Sequence, residues 1–90
     1  MASFKIEWKG SSERDIRNID RQHIHRILNA VEALSENPFP IQFKKLQGSE
    51  SSYRIRIGDY RVIYQVDTQN RIITIYHVRH RKDAYKGWKE

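Results

Sequence analysis

No cysteine occurs in this 90-residue chain. Disulfides and thiolate zinc sites are therefore excluded, and a reducing compartment, the cytoplasm, is the expected location. The only four glycines stand at positions 10, 48, 58 and 87, too scattered for a loop that cradles phosphate groups with its backbone. No apolar run approaches the roughly 20 residues that cross a bilayer. The stretch from Met1 to Trp8 alternates apolar and charged residues, unlike a secretory signal, so no export is expected. Histidines are few and badly spaced for metal: His23 and His25 lie two apart in a helical stretch, and His77 and His80 three apart in an extended one. Neither pair faces a common ligand, so no metal and no cofactor is expected.

What is present in excess is positive charge, 17 Lys and Arg against 11 Asp and Glu, a net +6. Its distribution decides what it means. Residues 10–36 are close to balanced, whereas residues 53–89 hold nine Lys and Arg against Asp59, Asp67 and Asp83. A cationic surface is therefore expected on whatever the second half of the chain builds.

Apolar periodicity supplies the elements. Phe4, Ile6 and Trp8 alternate with Lys5, Glu7 and Lys9, the period of a strand buried on one face. Ser11 or Ser12 is placed to cap a short helix carrying Ile16 and Ile19, with a break near Asp20. Ile24, Ile27, Leu28, Val31 and Leu34 then form one apolar stripe, giving a second helix that ends at Asn37-Pro38. Residues 37–52, with Pro38, Pro40 and Gly48, read as a connecting loop. Tyr53 to Ile57 and Val62 to Val66 alternate on either side of Gly58-Asp59, the pattern of a tight hairpin. Ile72 to Val78 is nearly continuous apolar sequence, as in a central strand covered on both faces. The expected architecture is a single α+β domain over residues 1–90, a strand, two helices and three antiparallel strands with a short charged tail. Both helices lie on one face of the sheet, which leaves the other free for Arg54, Arg56 and Arg61.

Five arginines, Arg54, Arg56, Arg61, Arg79 and Arg81, thus fall on consecutive strands or just beyond them. Guanidinium forks match phosphate oxygens, and like charges crowded on neighbouring strands repel, so an anionic partner is expected to neutralise them. His80, Arg81, Lys82 and Tyr85 follow closely. Cleaving RNA through its own 2′-hydroxyl requires a proton to be removed, a phosphorane to be stabilised and a proton to be delivered. Arginine does only the second, which leaves His80 and Tyr85 as candidates for proton transfer.

The stretch Lys44-Lys45-Leu46-Gln47-Gly48, the hairpin Tyr53-Arg54-Ile55-Arg56-Ile57-Gly58-Asp59-Tyr60-Arg61-Val62-Ile63-Tyr64 and the tail His80-Arg81-Lys82-Asp83-Ala84-Tyr85 resemble the RelE/ParE toxin superfamily, and its RelE branch more closely. The resemblance implies a toxin of a toxin–antitoxin pair that enters the ribosomal A site and cuts the bound mRNA. By position, Arg54 and Arg56 occupy two basic places where RelE has lysines, and Arg61 matches the arginine on the scissile phosphate. Arg81 matches the second catalytic arginine, and Tyr85 resembles the tyrosine that stacks on a base. The catalytic set implied is Arg56, Arg61, His80, Arg81 and Tyr85, with Lys45, Arg54, Arg79, Lys82 and Lys86 along the RNA path. A cognate antitoxin should cover the same basic face. Arginine at both lysine places and a shorter spacing from Arg81 to Tyr85 depart from RelE, and the His-Arg-x-x-x-Tyr tail points to His80 for proton transfer. Two other readings compete. One is a ParE-like inhibitor of DNA gyrase that cuts nothing; the other is a non-catalytic RNA-binding module, whose binding would fall steeply with salt.

Overall fold

Side-chain alternation and one apolar helical stripe account for most of the architecture. A computed structural model describes residues 3–41, 43–46 and 51–82. In β1 (Lys5–Trp8) Ile6 and Trp8 pack on the core while Lys5 and Glu7 stay exposed. Then come α1 (Gly10–Arg17), α2 (Arg21–Leu34), β2 (Phe43–Lys45), β3 (Ser52–Ile57), β4 (Tyr60–Asp67) and β5 (Ile72–His80). The strands form one sheet in the order β1-β5-β4-β3-β2. β1 runs parallel to β5, and every other neighbouring pair is antiparallel.

The apolar stripe of α2 meets the sheet through Ile27, Val31 and Leu34. They pack on Ile55, Val62, Tyr64, Val66, Ile73, Ile75 and Val78, with Phe4, Ile6, Trp8, Ile16 and Ile19 at the margin. Leu28 departs from the expected stripe and remains exposed. Tyr64 is fully buried, and its hydroxyl donates to the Pro38 carbonyl at 2.7 Å. That bond ties the loop after α2 to the centre of the sheet, and burial, with a smaller push from Tyr53, raises the Tyr64 hydroxyl well above the usual phenol range.

Four further findings differ from the sequence reading. The loop over residues 37–52 contains a further strand, β2, three residues paired with β3 at the sheet edge. Three residues are too few for a period to declare itself. The start of α1 is not capped by Ser11 or Ser12, since Lys9 occupies the N-cap. Ser12 donates to the Lys9 carbonyl at 2.7 Å and Ser11 to the Tyr76 carbonyl at 2.7 Å, so both hydroxyls serve acceptors instead. α2 ends at Leu34, three residues before Asn37, and Ser35 and Glu36 close it with turn-like bonds to Glu32 and Ala33. Finally, the sheet face away from the helices is not bare: Ile63 and Ser52 are buried on it, and Arg54, Arg61 and Arg79 are half-buried.

One irregularity sets the orientation of the last strand. Ile63 pairs with His77 but Tyr64 pairs with Ile75, so Tyr76 is an extra residue, a bulge. Before it Ile73 and Ile75 point to the core; after it Val78 does. Without the bulge, strict alternation would have turned His77 and Arg79 inward.

Candidate nucleic-acid interface

Cross-strand register assembles the cationic face. Residues directly opposite one another in antiparallel strands share a face, and Arg56 lies opposite Arg61, which lies opposite Arg79. Three guanidinium groups therefore form a row across β3, β4 and β5. One step along, Lys44, Arg54, Ile63 and His77 form a second row across β2 to β5. Neighbouring strands lie about 4.8 Å apart, so the row of arginines crowds like charges at a separation where repulsion counts.

Each arginine is held differently. Arg61 Nη1 donates to the carbonyls of Gly58 at 3.3 Å and Tyr60 at 3.2 Å, bracing the guanidinium against the hairpin turn. Arg79 Nε lies 3.7 Å from Asp15 Oδ2. Arg56 is exposed. The backbone N–H of Arg81 donates to the Asp59 carbonyl at 2.7 Å, fixing the chain just past β5 beside the same turn. Arg81 and Lys82 are exposed there.

Asp15 closes the end of the row. β1 stops at Trp8, so the edge of β5 beyond Ile75 has no strand to pair with. Lys9 N–H bonds the Ile75 carbonyl, Ser11 Oγ the Tyr76 carbonyl, and Asp15 Oδ2 accepts the Val78 N–H at 3.0 Å. The N-cap and side chains along α1 thus stand in for the missing strand, satisfying edge donors and acceptors that would otherwise go unpaired. The same carboxylate oxygen lies 3.2 Å from His77 Nδ1.

Not all the expected residues gather here. His80 follows Arg79 onto the helix side of the sheet, where its ring meets Tyr60 edge-on at 5.6 Å and its Nδ1 accepts the Lys82 N–H at 3.3 Å. Together with His23, Arg26, Asp59 and Tyr60 it lines a cleft of about 320 Å³ between α2 and the hairpin turn. Lys45 lies opposite Tyr53 on the core side, so Lys44, opposite Arg54, is the lysine that shares the arginine face. Tyr85 and Lys86 lie outside the described residues. Sequence reasoning missed Lys44, His77 and Asp15. The lysine turns on a register that no short strand reveals, and the other two on a bulge and a contact 62 positions apart. Among the described residues no group of three His, Asp or Glu side chains is placed to hold a metal ion, and no helix is long and apolar enough to cross a membrane.

Fold and face together define a small α+β protein with a cationic sheet surface next to a hairpin turn. The family described as the ParE toxin of type II toxin–antitoxin systems, parDE, matches residues 6–85, and the chain belongs to that family. It is 34% identical over 87 residues to a protein that its name assigns to the RelE toxins, RelE1 of Methanocaldococcus jannaschii, covering 93% of this chain and 97% of the relative. The RelE of the Pyrococcus horikoshii RelE–RelB complex superposes with a TM-score of 0.78 at 27% identity, over 88% of this chain and 96% of that one. A free Escherichia coli RelE variant shares the fold at a TM-score of 0.73 and 20% identity, over 99% of this chain and 100% of that one. The protein is a RelE-like toxin of a type II toxin–antitoxin system.

Proposed function

We propose that this toxin is a ribosome-dependent mRNA endonuclease that cuts mRNA in the A site by attack of the 2′-hydroxyl and so stops translation. The observation that carries the reading is the row Arg56–Arg61–Arg79 in register across three strands. A scissile phosphate on that row would meet Arg61 already braced on the hairpin turn, with Arg56 beside it free to close on the phosphate, a largely preorganised arrangement for stabilising charge that develops in a transition state. In this reading Arg56, Arg61 and Arg81 hold the reacting phosphate, and Tyr85 stacks on a base. Arg54, Arg79, Lys44, Lys82 and Lys86 carry the flanking backbone. Lys45 and His80 lie on the other side of the sheet; His80, opposite Tyr60, meets RNA only where it rounds the hairpin turn, and Lys45, opposite Tyr53, lies at the far end of β3 from that turn. The site of action is the cytoplasm, where ribosomes are.

The P. horikoshii relative is a complex with RelB, which supports a cognate antitoxin for this chain as well. An acidic segment laid over the arginine row would neutralise it and shut out RNA by the same contacts.

Inducing the wild type and Arg61→Ala in a bacterium and mapping mRNA 5′ ends tests the reading. Reading-frame-dependent cuts made by the wild type alone are expected; none from either would overturn it. The family match to ParE toxins favours a second reading, inhibition of DNA gyrase without cleavage. Accumulation of gyrase cleavage complexes on induction, with translated mRNA intact, would establish it.

A further inference from the structure

Moving protons, first of all off the 2′-hydroxyl, is what the arginines cannot do, because a guanidinium stays charged across the whole accessible pH range. Among the described histidines, His77 is the one that shares their face. It sits opposite Ile63, two residues before Arg79, with Arg54 in its own row and Arg61 in the next. The bulge at Tyr76 puts it there.

Its partner is Asp15. A carboxylate only accepts, so at 3.2 Å from Asp15 Oδ2 the Nδ1 of His77 carries the hydrogen and donates it. That fixes the neutral tautomer: the lone pair is on Nε2, the nitrogen that takes up a proton. The carboxylate is itself immobilised by the Val78 N–H at 3.0 Å and lies 3.7 Å from Arg79 Nε. Histidine and aspartate are both about one-fifth exposed, reachable yet sheltered. A carboxylate oriented by backbone, an imidazole oriented by the carboxylate and cations for a phosphate beside it are the parts of a general-base site.

We infer that His77, oriented by Asp15, is the base that activates the 2′-hydroxyl, an inference that rests on the nuclease reading above. Nε2 takes the hydroxyl proton as the 2′-oxygen bonds to phosphorus. The bond from phosphorus to the 5′-oxygen then breaks, and the leaving oxygen takes a proton from water. The imidazolium returns its proton to solvent, leaving a 2′,3′-cyclic phosphate and a 5′-hydroxyl. Arg54, Arg61 and Arg79 on β3, β4 and β5 share its face of the sheet, and Asp15 on α1 brings the opposite charge to Nδ1. Asp15 is a positioning residue, since it acts through the ring.

The experiment uses the full chain with ribosomes carrying mRNA in the A site. Single-turnover cleavage is followed from about pH 5 to 8, where imidazoles titrate, for the wild type, His77→Gln, Asp15→Asn and Arg61→Ala. Binding is read on the same ribosomes with a 2′-deoxy nucleotide at the cut site. Gln keeps an N–H for Asp15 but accepts no proton. His77→Gln is expected to lose about 10²- to 10⁴-fold in rate, the usual worth of a general base, to lose the rise of rate with pH, and to bind the deoxy mRNA complex as the wild type does. Nitrogen-15 NMR of the free wild type should find the Nδ1–H tautomer at His77. A His77→Gln protein that retains the wild-type rate and pH profile overturns the assignment, as does an Nε2–H tautomer. A wild type that cuts nothing, like Arg61→Ala, removes the nuclease reading itself and the role of His77 with it.

Discussion

Asp15 satisfies three partners with one oxygen. Sited on a surface helix, it reads in sequence as an ordinary exposed carboxylate, yet it caps a strand edge, orients an imidazole and neutralises the last arginine of a row. Tyr64 behaves in the same way at the centre of the sheet, where the apolar pattern accounts for its burial but not for its hydroxyl. Tyr64→Phe leaves the ring in place and strands the buried Pro38 carbonyl. It should therefore cost about 1 to 3 kcal/mol of stability by urea unfolding. A loss below a few tenths would mean that water reaches that carbonyl. Most residues were thus legible as core or surface, with Leu28 and Ile63 as exceptions, while the partners that give them their work came from chain segments far apart in sequence.

At the scale of elements, the hairpin β3–β4 was legible because two strict alternations flank Gly58-Asp59, and the structure returns that turn with Gly58 at φ +58°. A Cβ there would meet the end of the Arg26 guanidinium at 2.8 Å. That flexible group moves aside easily, so the backbone conformation sets the penalty. Gly58→Ala should lose about 1 kcal/mol in chemical denaturation, and cleavage should fall too, because Arg61 is braced on the Gly58 carbonyl. β5 was legible as a strand but not in its orientation. Its sequence is nearly continuous in apolar and β-branched residues from Ile72 to Val78, and a run without clear alternation carries no face. The bulge that decides the matter follows from pairing with β4 and leaves no local mark. β2 escaped for a different reason, being only three residues long at an edge.

For the molecule as a whole, the lopsided charge of the second half of the chain was visible in composition, and the fold turns it into a surface. Strand order does the work: β3, β4 and β5 lie side by side, so arginines from three separate stretches meet in one row. Such a face has a measurable signature. Affinity for single-stranded RNA should fall with salt in proportion to the phosphates engaged, and Arg56→Ala should flatten the slope of log K against log salt by about 0.7. An unchanged slope would place Arg56 off the RNA path. The half-buried state of Arg54, Arg61 and Arg79 was not legible, since alternation gives a direction and not the depth at which a side chain lies.

The most direct test of the account compares purified wild type, Arg61→Ala and Arg17→Ala on ribosomes with mRNA in the A site. Arg17 is exposed on α1 and serves as the charge-matched control. If the arginine row holds the reacting phosphate, Arg61→Ala loses roughly 10²- to 10³-fold in cleavage rate while Arg17→Ala cuts like the wild type. Equal rates in all three, or equal losses in both variants, would contradict it.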